Sequence, residues 1–415
     1  MMKKILLKGP ILSQSGYGEQ TRFAFRSLMQ SGKYDVYIHA INWGNTSWLW
    51  RDDTERRLID ELIKKTVAYN HTKQPYDISI QVTIPDEFER IAKYNIGYTA
   101  GIETDRVSLK WLDKANLMDR IIVVSSHSKR VFENTAVQFK VSDNSPIQET
   151  SLVTPIDVVN FPYEDKPKET TQLLDDFSDS VKNKFNFLLV AQQSPRKNIL
   201  HTLNWFLEEF EDDPDVGIVL KMNCGNNSTL DLNRTEELLN SLLRTKPDKK
   251  CKVYLLHGQL SDYEMQKLYR HPKINCLLSL THGEGFGLPI FEAACNDLPI
   301  VTTGWSGQCD FLYHMEGNKI KEYFTPVDFK IAPIQPEAVW GDILVKESQW
   351  CYPDPKSSKR AMRKVYKKYK QAERNSKKLS KILREKHSFV NQSSMFVEAV
   401  DSLYTTEGKS NVVVL

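Results

Sequence analysis

Thr281-His282-Gly283-Glu284-Gly285-Phe286-Gly287-Leu288-Pro289-Ile290-Phe291-Glu292-Ala293-Ala294 is the stretch on which the reading of this chain turns. It follows an apolar run at 274–280 and sets two glutamates eight residues apart across a glycine-rich loop. Proline is tolerated at the start of a helix, so 283–288 reads as a loop and Pro289 as the first helical residue, with Glu292 one turn in and Glu284 left in the loop. Gly283, Gly285 and Gly287 let a ligand come close to the backbone, and the N–H groups at the start of the following helix attract phosphate. A carboxylate can accept two hydrogen bonds from vicinal sugar hydroxyls. These residues suit a diphosphate flanked by two sugars; the plain alternative is a glycine turn with a glutamate in a helix's first turn.

Outward from this stretch, strand-like apolar runs alternate with helix-like segments at 4–7, 35–41, 78–82, 94–99 and 120–125. The rhythm restarts at 185–191, 216–222, 252–257, 274–280 and 299–303. Alternation of this kind predicts parallel βαβ units, and the restart predicts two α/β domains. Periodicity lapses over 160–180, which is rich in Asp, Glu, Lys and Thr and contains Pro162 and Pro167. The expected division is a Rossmann-like domain over 1–165, a linker over 166–180 and a second Rossmann-like domain over 181–387. A helix at 388–410 is expected to pack back on the first domain. Two such sheets facing each other would take ligands in a cleft outside the carboxyl ends of their strands.

Composition narrows the class. The 415 residues carry a net charge of +3, 40% hydrophobic and 26% charged residues, the proportions of a globular protein. So small an average charge gives no argument for a nucleic-acid or membrane partner. The six cysteines fall in the second half without C-x-x-C spacing, as expected for reduced thiols in a cytoplasmic protein. The start, Met1-Met2-Lys3-Lys4-Ile5-Leu6-Leu7, has too short an apolar run for a signal peptide and reads as a buried strand. No apolar stretch is long enough to cross a bilayer. The segment 353–386 holds 14 Lys or Arg against Asp354, Glu373 and Glu385. It reads as a solvated helix face packed on the second domain or, between Lys356 and Lys386, as a surface for anionic lipid or nucleic acid, anionic lipid making the protein peripheral to a membrane.

The glutamate stretch resembles a family 4 retaining glycosyltransferase of the GT-B fold, whose hallmark, Glu, seven residues, Glu, stands here as Glu284 to Glu292. The resemblance implies that Glu292 holds the ribose of a nucleotide-sugar donor, that Glu284 serves the transferred sugar, and that Gly285, Phe286, Gly287 and Leu288 line the donor site. The segment 188–198 resembles the strand and basic loop that grip the donor diphosphate. Lys197, with Arg196 beside it, would neutralise the leaving group. Relatives carry Gly-Arg where Ala191-Gln192 stands here, and Lys221 is the candidate replacement charge, an exposed surface lysine being its other reading. Gly304, in the strand-to-loop segment 299–308, falls where the family lines the donor pocket. Gly16 and Gly18 match its glycine loop opposite the donor phosphates and would contact donor or acceptor.

The pattern Glu103-Thr104-Asp105-Arg106, after Gly97-Tyr98, resembles a subgroup of the family. Glu103 or Asp105 would orient the acceptor hydroxyl, or form a buried ion pair with Arg106. The implied donor is a UDP- or GDP-sugar acting as substrate, with no tightly bound cofactor. The acceptor is a glycan, lipid-linked sugar (glycolipid) or protein. Attack comes from the face that the diphosphate leaves, so no enzymic nucleophile is needed. Asp213-Pro214-Asp215 precedes its strand, at the end of the sheet away from the cleft, and metal independence is expected. The basic stretch motivates a DNA-base-modifying glycosyltransferase as an alternative, and the missing arginine a non-catalytic carbohydrate-binding protein of the same fold. A phosphorylase would want a pyridoxal-phosphate lysine and a much longer chain.

Overall fold

The structure, a computed structural model, describes residues 2–44, 46–49, 52–140, 146–166, 168 and 175–403. It divides into two compact units. One is Met1–Pro162 with Val339–Ser348 and Phe389–Leu415; the other is Tyr163–Ala338 with Gln349–Ser388.

The first unit is built on Lys3–Gly9 (β1), Tyr34–Ala40 (β2), Ile78–Val82 (β3), Tyr94–Thr99 (β4), Arg120–Val123 (β5), a hairpin of Ala136–Phe139 (β6) and Gln148–Ser151 (β7), and Ile156–Val158 (β8). Its parallel sheet has the order β2-β1-β3-β4-β5-β8. Gly16–Ser31 (α1), Thr54–Asn70 (α2), Leu109–Ala115 (α3) and Ser126–Asn134 (α4) make the crossovers. Ile5, Leu7, Ile78, Ile80, Ile96 and Ile121 are wholly buried, as expected of strands covered on both faces. The C-terminal helix Phe389–Asp401 belongs to this unit, its Phe396 ring 5.7 Å from Phe23 and 5.4 Å from Tyr98.

The second unit opens with Asp175–Ser180 (α5), followed by Phe185–Gln192 (β9), Ile199–Phe210 (α6), Val216–Asn223 (β10), Thr229–Leu243 (α7), Lys252–Leu255 (β11), Asp262–Tyr269 (α8) and Cys276–Ser279 (β12). Leu288–Cys295 (α9), Ile300–Thr303 (β13) and Cys309–Leu312 (α10) come next, then a hairpin of Tyr313–Glu316 (β14) and Lys319–Glu322 (β15). Thr325–Val327 (β16) completes the parallel sheet β11-β10-β9-β12-β13-β16. Phe329–Pro333 (β17) pairs with Gln349–Pro353 (β18), and Pro355–Lys367 (α11) and Tyr369–Lys386 (α12) close the unit. Ser15, Asp53, Ser108, Ser125, Ser228, Ser261 and Asp354 each accept a backbone N–H at the start of a helix. Each such cap contributes about 1 kcal/mol.

The division of the chain differs from the sequence expectation in two places, and the basic segment packs on the second unit as its leading reading expected. The chain enters the second unit at Tyr163, whose N–H donates to the His387 carbonyl at 2.7 Å, ahead of the expected linker at 166–180. Residues 167 and 169–174 of that linker lie outside the described residues, and 175–180 is helical, with Phe177 buried edge-on against His271. Residues 339–348, expected in the second domain, belong to the first unit because Ile343 and Leu344 pack on its Trp111–Phe132 cluster. The segment 353–386 is two helices joined at Lys368, whose apolar sides face the second unit. Ala361, Met362 and Val365 of α11 enter the core of Phe187, Phe206 and Phe210. Ser380 and Arg384 of α12 donate to the Cys295 carbonyl at the end of α9, both at 2.8 Å.

Candidate active site

In the second unit the chain turns outward from β9 on both sides: β10 and β11 lie to one side, β12, β13 and β16 to the other. Ligands of open α/β sheets bind at such a switch point, outside the strand carboxyl ends. The loops leaving β9, β12 and β13 therefore share one location. After β9, Pro195–Lys197 forms a single tight turn that ends at Asn198, left-handed at φ 51°. Asn198 is buried and donates its side-chain amide to the Leu280 carbonyl at 2.9 Å, which ties this turn to the end of the neighbouring strand. The Arg196 carbonyl in turn accepts the His282 N–H at 2.9 Å and the Thr281 hydroxyl at 3.1 Å.

This brings both cations onto Glu284. Lys197 Nζ lies 2.7 Å from Oε1 and Arg196 Nη1 lies 2.7 Å from Oε2, with Arg196 Nη1 also 2.8 Å from the Gly283 carbonyl. On the β13 side, Ser306 Oγ accepts the Glu284 N–H at 2.8 Å, and Gly307 donates its N–H to the Glu284 carbonyl at 2.9 Å. A Cβ on Gly307 would stand 2.0 Å from the Gly285 carbonyl oxygen, so only glycine admits this contact. Burial alone would raise the Glu284 carboxyl, but the charges of Arg196 and Lys197 outweigh it and hold the group at about 2. Glu284 is thus an ionised, buried carboxylate with one cation on each oxygen.

The remaining sequence candidates take distinct places. Gly287 has φ 94°, a backbone that favours glycine, and starts α9; Leu288, not Pro289, is the first helical residue. Glu292 lies within α9 and accepts the Tyr269 hydroxyl at 3.0 Å. Phe286 is buried with its ring 5.1 Å from both Phe291 and Phe311, so its side chain belongs to the core and its backbone is what it can offer a ligand. Lys221 is half-buried on β10, with its ammonium on the Gly258 carbonyl rather than on Glu284, and desolvation lowers its pKa. The exposed-lysine reading therefore fails. A Cβ on Gly304 would fall 1.9 Å from the Tyr313 hydroxyl, so close packing accounts for this glycine. Asp213 and Asp215 precede β10 and pair with Arg363 at 3.5 Å and Lys184 at 2.9 Å.

Sequence reasoning left Asn198, His282, Ser306 and Gly307 without roles. His282 stacks on Trp350 at 5.0 Å and 14°, and its Nδ1 meets the Cys351 carbonyl at 2.6 Å. Burial pushes its pKa down to about 4, so at neutral pH Nδ1 carries the proton and donates it to that carbonyl. The signal for Ser306 and Gly307 was the Gly304-Trp305-Ser306-Gly307 turn, read only at its first glycine.

In the first unit the loop after β1 is held by the Arg22 side chain and by backbone bonds to a second loop, Gln14 donating its N–H to the Ser47 carbonyl at 2.8 Å and Leu12 accepting the Leu49 N–H at 2.7 Å. Arg22 is buried and donates to the Ile11 and Ser13 carbonyls at 3.0 and 2.8 Å. A Cβ on Gly18 would lie 1.9 Å from the Ser13 oxygen, while Gly16 is exposed. The Tyr17 hydroxyl meets Thr99 Oγ1 at 2.8 Å, and its ring lies 4.3 Å from Trp43. Glu103 stands part-exposed in the loop after β4. Asp105 and Arg106 pair at 3.4 Å, but with 28% and 41% of their side chains exposed they do not form the buried ion pair considered from sequence. His127 is buried, its Nε2 3.1 Å from the Thr104 carbonyl, and burial lowers its pKa to about 4.

Two six-stranded parallel sheets with crossover helices, in this order along the chain, define the fold class: the GT-B architecture of glycosyltransferases. Among solved structures, the chain is similar to HepE of Anabaena in complex with UDP and glucose, with 13% identity and a TM-score of 0.60 over 96% of this chain and all of that one. It is also similar to a sucrose-phosphate synthase from Thermosynechococcus elongatus, at 12% identity and a TM-score of 0.60 over 97% and 100%. By sequence it is 30% identical over 116 residues to the serotype-specific mannosyltransferase WbdA of Escherichia coli. That match covers 28% of this chain and spans 13% of the length of WbdA. No family model matches the chain.

Proposed function

We propose that the chain is a retaining, metal-independent hexosyltransferase that moves a sugar from a UDP- or GDP-sugar to a glycan or glycolipid. The observation that carries this reading is the Glu284 carboxylate at the switch point with Arg196 and Lys197 each 2.7 Å from one of its oxygens. A diphosphate arriving beside α9 would compete for the two cations and find its charge neutralised, while Glu284, kept ionised, accepts donor-sugar hydroxyls. Arg196 supplies the second charge that the Gln192 position lacks. Glu292, steadied by Tyr269, is assigned to the ribose, and the backbone of residues 285–288 to the phosphates.

In the proposed step the acceptor oxygen bonds to the anomeric carbon as the bond from that carbon to the phosphate oxygen breaks. The departing phosphate oxygen takes the acceptor's proton, on the same face, which retains configuration. Gly16, Gly18 and Glu103 of the first unit are assigned to ligand contact, Glu103 to the acceptor hydroxyl. HepE was solved with UDP and glucose, and the proposed donor is a UDP- or GDP-sugar, so both kinds of donor belong in the test.

The experiment is thermal shift and hydrolysis with a panel of UDP-, GDP- and ADP-sugars on the native chain, Glu292→Ala and Lys197→Ala. Stabilisation by one nucleotide sugar, absent in both variants, supports the donor site. Silence across the panel favours a carbohydrate-binding protein. EDTA should leave turnover intact, and its loss with rescue by manganese would sink metal independence.

A further inference from the structure

We propose that the exposed face of α11 and α12 docks the protein on anionic phospholipid surfaces by charge alone. Residues 355–386 hold 14 Lys or Arg against two Glu, while the rest of the chain holds 42 against 51. A near-neutral average thus hides a strongly polarised molecule. An anionic surface attracts this one region and repels the remainder, which selects a single docking orientation.

The helices separate their charges by face. At 100° per residue, Lys370, Arg374, Lys377, Lys378 and Lys381 fall within an arc of about 100°, running about 17 Å along α12. Ser376, Leu379, Ser380 and Leu383 are buried on the opposite side. Lys364, Lys367 and Lys368 continue the exposed basic surface across the junction with α11. Other cations of the segment are neutralised within the protein: Lys359 by Glu208 at 2.8 Å, Arg363 by Glu209 at 2.6 Å and Arg384 by Asp165 at 3.3 Å. Glu373 serves Lys370 at 3.4 Å and Lys377 at 3.2 Å. Among the described residues, no carboxylate lies within 4.0 Å of Lys364, Lys367, Lys368, Arg374, Lys378 or Lys381.

The shape of the face favours a plane over a groove. The far side of α12 is packed on α9, so the helix lies flat and presents one stripe, whereas a reading helix must enter the major groove. Five of the six cations without a nearby carboxylate are lysines, point charges without the fork that reads base edges. The exposed positions of α12 carry no Trp, Phe or Leu to insert, so attachment is electrostatic and reversible, as for polybasic clusters on anionic leaflets.

The test is co-sedimentation of the full chain with vesicles of phosphatidylcholine alone or mixed with phosphatidylglycerol, at low and high salt. The variants are Lys367→Gln/Arg374→Gln/Lys378→Gln/Lys381→Gln together, and Lys359→Gln as a control. We expect binding only to the phosphatidylglycerol vesicles, abolished by salt. At roughly fivefold per cation removed, the quadruple variant should bind a hundredfold or more weaker, and the control should change less than about twofold. An unchanged melting temperature and donor thermal shift in the quadruple variant separate this surface from the fold and from the donor site. Equal binding to both vesicle types, undiminished binding by the quadruple variant, no vesicle binding, or tighter binding to duplex DNA would each overturn the proposal.

Discussion

The loop after β12 in the second unit and the loop after β1 in the first are both glycine-bearing turns at the carboxyl end of a parallel sheet, held by different forces. The first is gripped from outside. Two cations from the β9 turn take the Glu284 carboxylate, and Ser306 and Gly307 from the β13 turn take its backbone. The second is held mainly by backbone and neutral groups: Arg22, rising from α1, donates to the Ile11 and Ser13 carbonyls, Gln14 and Leu12 exchange backbone bonds with Ser47 and Leu49, and Tyr17 meets a neutral threonine. Strand order differs too, with two strands on one side of β9 but only one on that side of β1. The sheet supplies a place for a site, and the residues at the strand ends decide whether charge is available there for chemistry.

The largest expected effect tests that contrast directly. Glu284→Gln should lower turnover by two to three orders of magnitude, as for removal of an electrostatic transition-state group, and Glu103→Gln by about tenfold. Steady-state kinetics on the two variants would break the contrast if the losses were equal.

Acid stability sharpens it. Glu284 titrates at about 2 in the folded chain against about 4.3 when unfolded, so its contribution is complete above pH 4.3 and lost as pH falls through 2. The size is on the order of 3 kcal/mol. His127 and His282, lowered to about 4, add stability above pH 6.5 that is lost between 6.5 and 4, one in each unit. Urea midpoints at pH 7, 5 and 3 should show the gap between wild type and Glu284→Gln closing only at the lowest pH. Imidazole resonances of both histidines should stay neutral down to pH 5.

Gly307→Ala and Gly18→Ala should each cost about 2 kcal/mol, since both new methyls meet backbone oxygen. Only Gly307→Ala should also abolish the donor thermal shift, because it displaces the Glu284 loop. The smallest effect is expected from Gln192→Arg, which adds a third cation after β9 and should tighten donor binding by less than tenfold.

Much of this was legible in the chain. The ten apolar runs are strands, because buried parallel strands are continuous apolar segments whatever they pair with. The missed strands β8 and β16 are three residues long at sheet edges, β6, β7, β14 and β15 belong to short hairpins of mostly exposed residues, and β17 and β18 form a two-stranded pair whose strands are separated by fifteen residues of chain, 334–348, so no periodicity marks them. Glu284 and Lys197 stand out in the sequence because glycine spacing and adjacent charge are local signals. Their pairing with each other across the sheet does not show there. That Arg196 and Lys197 divide the two oxygens of one carboxylate and that Gly307 is fixed by the Gly285 carbonyl depend on β9, β12 and β13 lying side by side, and that Lys221 goes to Gly258 depends on β10 lying beside β11. Sequence alone determined which segments are buried and where charge and glycine are available, since those are properties of short stretches. Only the tertiary structure decided which charges meet, because strand order brings Arg196 and Lys197 onto a carboxylate more than eighty positions away.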